Sequence, residues 1–493
     1  MTSSAPPGTR GTGRVDLGRP FRRLWASAAA SNAGDGVTRT LLPLLVVAHH
    51  PEPAAVAGLT AVNMLPWLLF ALPAGVLADR ADRRRLVLLS NAVRAAALTA
   101  AALLLAQDGP LPVLYALAFL LGTAETVADT AAPAMLPRLV EERHLERANG
   151  RLSAAQIVLG ETAGPPLAGL LVGLTAAAAL ATGGALYALA AVFLLGLTPL
   201  ARPGPTAGRT TGPPSDAPSD EPSGGATTGP TGGQKGGPEG GPSGGGPAPG
   251  DTPPDSVAPA PSPFAGVLTD IREGVRFVLH HRTLRLTLAA SALYGLVFSA
   301  TFSMLVLLSD GTLGLDGTGY GLLLAAGSLG AVAGSWLAPR AAERLPTVPL
   351  ARWSLVASGV AYALIGAAPG PVTTGLALAL NGVFMMGWNI PVMSLRQRLA
   401  PEHLRGRVMS VSRLCSWGTM PVGAVLGGLL AEVLSVPAVF VVSGLVLAAG
   451  ALLLLAPLRD TPAPAVPAAA STTADAEPTD PTSAPHPDRS EKE

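Results

Sequence analysis

GVLADRADRRR, Gly75–Arg85, is a polar knot between two long apolar runs. Its Asp79 is followed within six residues by Arg80, Arg83, Arg84 and Arg85. The flanking runs, 55–78 and 86–106, each reach the roughly 20 apolar residues that a helix needs to cross the hydrocarbon core of a bilayer. The knot therefore reads as a short connection between two membrane crossings. Working outward, further runs of that kind lie at 24–48, 111–134, 152–174 and 177–199, and then at 286–309, 319–340, 350–368, 372–394, 408–432 and 436–457. That makes six crossings, a long gap and six more.

Composition agrees. The 493 residues are 49% hydrophobic and only 13% charged, against about 25% charged in soluble proteins. Ala, Leu, Gly and Val dominate, and small residues suit close helix packing in lipid. A net charge of +1 gives no sign of a nucleic-acid partner. The single Cys415 leaves neither an internal disulfide nor a cysteine-based zinc site, and the seven histidines show no metal-ligand spacing. No cofactor is expected. Phosphate-cradling loops and nucleophile elbows are absent as well.

The arginines test the crossing count independently. Arg10, Arg14, Arg19, Arg22 and Arg23 precede the first crossing, and the connection at 49–54 has no Lys or Arg. The knot is basic, 107–110 is empty, Arg138, Arg143, Arg147 and Arg151 follow, and 175–176 is empty again. The second half repeats the pattern, basic at 340–352 and 396–407 and empty at 310–318, 369–371 and 433–435. Strict alternation is what the positive-inside rule requires. It places both termini and the central gap in the cytoplasm.

Residues 1–20 form a disordered N-terminus on this reading, 21–200 an N-terminal six-helix bundle, and 263–457 an amphipathic helix with a C-terminal six-helix bundle. The Gly, Pro, Ser and Thr of 201–262 have little to bury and read as a disordered cytoplasmic linker, as does the tail 458–493. In 264–286, Phe264, Val267, Leu268, Ile271, Val275, Val278 and Leu279 recur at helical spacing, with Arg272, Arg276 and Arg282 elsewhere around the helix. That pattern suits a helix on the membrane surface; a plain extension of the seventh crossing is the alternative.

The halves resemble each other at an offset of 259. His144–Leu145 matches His403–Leu404, Gly164 matches Gly423, Gly169–Leu171 matches Gly428–Leu430, and Gly75 falls on Gly334. The fold class is an all-α membrane protein of 12 transmembrane helices, arranged as two parallel six-helix repeats, one known plan for secondary transporters.

A positive-inside cluster accounts for Arg84 and Arg85 but not for Gly75, which permits close helix approach, or for Asp79, an anion placed to meet a helix N-terminus. The knot resembles the signature Gly-x-x-x-Asp-Arg-x-Gly-Arg-Arg between the second and third helices of the major facilitator superfamily. Gly75, Asp79, Arg80, Arg83 and Arg84 match it, and Asp82 stands where the family has its second Gly. Residues 21–45, 125–152 and 404–410 look like the branch that holds macrolide-efflux and siderophore-export proteins. GETAGPPLAG, 160–169, is similar to the fifth-helix antiporter signature through Gly160, Gly164, Pro165 and Gly169, with Ala168 in place of one Gly; generic small-residue packing is the plainer account of it.

Charges inside crossings cost roughly 2.5–3.5 kcal/mol each at a helix centre, so each requires a reason. Asp35 and Arg39 share a face at i,i+4 and are placed to pair, with Asn32 on the same side. Glu125 and Asp129 form a second i,i+4 set, and Glu161 is a third acidic site. By resemblance, Asp129 pairs with Arg83 in the cytoplasmic network. A desolvated carboxylate is the natural reversible proton carrier, and Glu125 and Asp35 rank ahead of Glu161 for that role. Arg94 is either a counter-charge for one of these acids or snorkels to the interface. Asn381 and Asn389, flanking Trp388, are candidates for the opposite cavity wall, although ordinary helix contact explains any one of them.

The resemblance implies a secondary transporter of a bacterial plasma membrane. It implies a monomer in the lipid bilayer that exports an amphipathic small molecule, a drug, antibiotic or siderophore, against protons. A non-transporting sensor on the same scaffold is the alternative, since fold does not dictate function. A polytopic enzyme fits poorly, because the acidic groups are scattered through helix interiors and only arginines cluster at one face.

Overall fold

The computed structural model describes residues 17–104, 110–197 and 263–458. The expected linker and, beyond Leu458, the expected tail lie outside these residues. The described residues are helical and contain no strand. The first half consists of α1 (Gly18–His49), α2 (Pro53–Arg80), α3 (Arg83–Leu104) and α4 (Leu111–Ala131). Its fifth crossing runs through α5 (Leu145–Ala155), a π-helical stretch (Gln156–Ala163) and α6 (Gly164–Leu174), and its sixth is α7 (Ala176–Leu195). The second half holds α8 (Pro263–His280), α9 (Arg282–Leu307), α10 (Gly317–Arg344), α11 (Thr347–Ala367) and α12 (Pro371–Leu399). Its next crossing is split into α13 (Arg405–Gly418) and α14 (Met420–Val433), and α15 (Val436–Leu455) closes it.

Among the described residues, eleven helical segments are long and apolar enough to cross a membrane. The exception is α1, which has 32 residues but carries Arg19, Arg22, Arg23, Asp35 and Arg39. It packs against α6 and α7 as part of the bundle. Of the twelve expected crossings, eleven thus appear by length and composition, and α1, which carries the charges, falls short of that measure. Helix α1 starts at Gly18, earlier than the boundary at 21 read from the sequence.

The duplicated plan extends to local contacts. A Cβ on Gly36 would stand 2.3 Å from the Gly160 carbonyl oxygen and 2.9 Å from Gly164 Cα. At the same offset of 259, a Cβ on Gly295 would stand 2.9 Å from Thr419 Oγ1, and one on Gly423 would stand 2.2 Å from the Leu296 carbonyl oxygen. Both the fifth and the eleventh crossings depart from regular α-helix at these equivalent places. Irregular turns inside helices often mark functional sites. The sixth and twelfth crossings also start alike. Thr175 Oγ1 accepts from the Ala178 N–H at 3.0 Å, and Ser435 Oγ accepts from the Ala438 N–H at 3.3 Å. Thr175→Ala and Ser435→Ala should each cost about 1 kcal/mol as lost N-caps, read as a lowered melting temperature of the detergent-solubilised protein.

Helix α8 is a separate element: the chain breaks at His281, whose side chain caps the start of α9 through the Leu284 N–H. Rather than offering its whole apolar side to lipid, α8 buries Val278 in a cluster with Leu284, Leu404, Val408 and Val411. Glu273 bonds Arg407 of α13.

The halves meet unevenly. A shared apolar core joins them at the end away from the arginines, where Leu41, Leu45 and Ala57 belong to the same cluster as Leu305, Leu308, Tyr320 and Ala431. At the arginine-rich end, hereafter the basic end, the first half has its own cluster of Phe21, Leu24, Val87, Met135 and Leu194, and the α8–α9–α13 side has another. Across the interface, α6 packs on α10 and α14 on α2, whereas α5 and α13, the basic-end parts of the same crossings, hardly touch the opposite half. Among the glycines between the halves the closest approach lies at the sealed end, where a Cβ on Gly169 would fall 1.9 Å from the Gly317 carbonyl oxygen. The bundle is therefore closed at the arginine-free end and parted at the basic end.

Candidate functional site

Helix α1 carries an acid and a base one turn apart, and the tertiary structure sends them to different partners. Asp35, 6% exposed, accepts from Arg94 Nη1 at 2.5 Å and from the Tyr187 hydroxyl at 2.7 Å, both at Oδ1. Arg94 is itself 1% exposed, with its guanidinium 4.8 Å from the centre of the Tyr187 ring. Tyr187 and Thr38 share a further hydrogen bond of 2.9 Å. Burying a charge is tolerable only when it is paired and hydrogen-bonded, and this arrangement of α1, α3 and α7 supplies both. Arg94 is thus a counter-charge for Asp35 and does not snorkel.

Arg39 lies a turn further on and donates from Nη2 to Glu125 Oε1 of α4 at 2.6 Å. This pair is more open, with the side chains 43% and 19% exposed. The expected Asp35–Arg39 pairing along α1 is not made, because each finds a better-placed partner across a helix interface.

Asp129, a turn beyond Glu125, is exposed and has no hydrogen-bond or ion-pair partner among the described residues. The expected contact with Arg83 is absent: Arg83 donates from Nε to the Ala78 carbonyl at 3.0 Å and from Nη1 to the Ala134 carbonyl at 2.7 Å. Asp129 instead lies within electrostatic reach of Asp35, Arg39, Arg94 and Glu125. The Glu161 carboxylate, in the π-helical stretch, also has no partner, although its backbone carbonyl accepts from Ser328 Oγ of α10 at 2.7 Å. Four carboxyls thus surround two guanidiniums, and only Asp35 and Glu125 are paired.

The remaining candidates divide. The Asn32 amide donates to the Ala28 carbonyl of its own helix at 2.8 Å. Asn381 is buried and donates to Ser358 Oγ at 2.9 Å, while Asn389 is exposed and Trp388 is buried. Gly160, Gly164, Pro165 and Gly169 all lie where the fifth crossing meets α1 or α10. In the knot, the side chains of Asp79 and Arg80 lie outside the described residues. Arg84 is more than a loose positive charge, since it bonds the carbonyls of Leu194 and Leu195 at 2.9 and 3.0 Å, at the C-terminal end of α7 where a cation is favoured. Asp82 replaces the family Gly as a cap, accepting from the Arg84 N–H at 3.0 Å. Around Gly75 the close approach expected from the sequence is not made, with nothing within 4 Å of where a Cβ would stand. The parting of the halves at this end accounts for that.

Three contributors escaped the sequence reading. Tyr187 bridges Asp35 and Thr38, and Asn91 accepts from Ser31 Oγ at 3.1 Å one turn from Arg94. A tyrosine beside Gly183–Gly184 was the available signal. Arg396, counted among the basic connections, is buried in the second half and donates to the Thr287 carbonyl and to Ser291 Oγ, both at 2.6 Å.

Comparison with known proteins accords with this architecture. The chain is 26% identical over 439 residues to the multidrug efflux pump Tap of Mycolicibacterium fortuitum, covering 85% of this chain and 91% of the relative. It is 27% identical over 443 residues to Tap of Mycobacterium tuberculosis, covering 86% and 89%. Among solved structures, a bacterial homologue of the iron transporter ferroportin in its inward-facing state superposes with a TM-score of 0.62 at 18% identity, over 89% of this chain and 99% of that one. The nucleoside transporter NupG superposes with a TM-score of 0.63 at 13% identity, over 90% and 99%. At these identities the superpositions speak for the fold alone. The profile described as Major Facilitator Superfamily matches residues 24–420. With its paired helical halves and that match along most of its length, the chain belongs to the major facilitator superfamily and is a membrane transporter.

Proposed function

We propose that this transporter exports amphipathic small molecules from a bacterial cell in exchange for protons, by alternating access between the two halves. The observation that carries the reading is the polar set around Arg39 and Glu125, borne by the first half next to the π-helical stretch that packs on α10, in a bundle whose halves share an apolar core at the arginine-free end. Arginine alternation puts the basic end in the cytoplasm, so this conformation is the one that receives substrate from inside. An apolar substrate body would rest against helix walls, and its polar group would compete for the ion-paired side chains. The knot at Gly75, Asp79, Arg80, Arg83 and Arg84 acts in the opposite conformation, latching the basic ends together when the outer end opens. The similarity to multidrug efflux pumps supports export as the direction.

Everted membrane vesicles containing the full chain test this with ethidium and Hoechst dyes as probes. Respiration-driven acidification of the vesicle interior should drive dye accumulation, a protonophore should abolish it, and vanadate should leave it unchanged. Dye movement identical to that of vesicles lacking the protein, across a panel of cationic, neutral and anionic probes, would count against export.

A further inference from the structure

Arg94 holds a carboxylate-binding edge that no group among the described residues occupies. Nη1 is spent on Asp35, but Nε and Nη2, the parallel donors of the side-on edge, are buried without an acceptor. Asn91 Nδ2, one turn away on the same face of α3, is likewise buried and unpartnered. A guanidinium meets a carboxylate through two parallel N–H bonds, and buried donors left unmade are costly enough to need an explanation. Asp129 has the complementary deficit, a carboxylate with no cation bound to it, on a helix that packs against α3. The levels agree as well. Helices α1 and α4 run antiparallel and pair at Arg39–Glu125, so four residues back on α1 and four residues on along α4 bring Asp35 and Asp129 to one height. That is the height at which Arg94 bonds Asp35.

We propose that Asp129 is the acid through which the transporter takes up and releases its proton, and that Arg94 is the cation it closes on once ionised. The inference rests on the proton coupling proposed above. Protonated, Asp129 is neutral and stands off the guanidinium, exposed as in this structure. At the basic end its O–H bond breaks, the proton passes to water in the cavity, and the carboxylate swings to Nε and Nη2 of Arg94. In the opposite conformation a proton arriving from the outer side rebuilds the O–H bond and frees the edge.

The other acids are differently placed. Asp35 is buried with two donors already on it, and Glu125 is held by Arg39. Glu161 lies within electrostatic reach of Arg39, which already holds Glu125. The groups around Asp129 are Glu125 on its own helix, Asp35 and Arg39 from α1, and Arg94 from α3; α2 is charged at Asp79 and Arg80, whose side chains lie outside the described residues.

Infrared pH-difference spectroscopy on the full chain in lipid nanodiscs tests this without substrate or gradient. It is therefore independent of the dye assay, whose failure would overturn export while leaving this measurement intact. Asp129→Asn should delete one titrating carboxylic-acid band, while Asp129→Glu, Glu125→Gln and Glu161→Gln should retain it. Arg94→Lys keeps a charge opposite Asp35 but has no two-pronged edge. It should displace the midpoint of that band to higher pH by about one unit, the lower end of what an opposing charge contributes. A band that survives in folded Asp129→Asn, vanishes in Glu125→Gln or Glu161→Gln, or stays unmoved in Arg94→Lys would overturn the assignment. Should Asp129→Asn not fold, the Arg94→Lys shift alone decides.

Discussion

Arg94→Met is expected to destabilise the protein by about 3–5 kcal/mol, because it leaves the Asp35 carboxylate buried without its counter-charge. Few single substitutions cost so much, and those that do act by named mechanisms such as this one. Asp35 is 6% exposed and Arg94 1%, so water cannot readily replace the missing partner. Tyr187 remains on the carboxylate, but one neutral donor does not offset a lost ion pair. The expectation becomes sharper with the double variant Asp35→Leu/Arg94→Met. Replacing both members of a buried pair by apolar side chains is often neutral or stabilising, so most of the loss should return. Melting of the detergent-solubilised single and double variants gives the coupling directly. Equal losses in the single and the double would show that the pair contributes only as packing volume.

Gly169→Ala should push the transporter out of the conformation described here. The added Cβ falls 1.9 Å from the Gly317 carbonyl oxygen, and that neighbour is backbone, which has no rotamer to move aside. Overpacking of this kind costs about 1–3 kcal/mol. The cost arises only while the arginine-free end is shut, so it acts on the equilibrium between conformations, where 1.4 kcal/mol is about tenfold. A reporter cysteine in place of Leu44, which packs beside Gly317, in a Cys415→Ser background, would read the change. Its labelling by an impermeant maleimide added outside intact cells should rise about tenfold in Gly169→Ala, with export reduced. Gly75→Ala makes a useful contrast. Nothing lies within 4 Å of its new methyl in this conformation, so neither stability nor labelling should change much by direct contact here. Unchanged labelling in Gly169→Ala would mean that the Gly169–Gly317 contact is not the seal.

Much of the architecture was legible in one dimension. Hydropathy and arginine alternation are properties of consecutive residues, because each crossing must bury its own backbone hydrogen bonds in lipid and its own flanking charges remain in water. Eleven of the expected crossings and the repeat at an offset of 259 followed from that, and the structure repeats the offset in Gly36 with Gly160 and Gly295 with Thr419. The choice of ion-pair partners did not follow. The i,i+4 spacing of Asp35 and Arg39 invited a local pair, yet Asp35 reaches across 59 residues to Arg94 and 152 to Tyr187, while Arg39 reaches across 86 to Glu125. Arg83 and Arg84, read beside their neighbours in the knot, bond backbone carbonyls at the ends of other helices. The sequence by itself determined which stretches are long and apolar enough to cross a membrane, the charged first one excepted. The rotation of each helix about its axis, and with it which charge meets which, was decided only by tertiary packing. Surfaces of Ala, Gly, Leu and Val pack acceptably in several rotations, and the one adopted is the one in which Asp35 and Glu125 each meet an arginine.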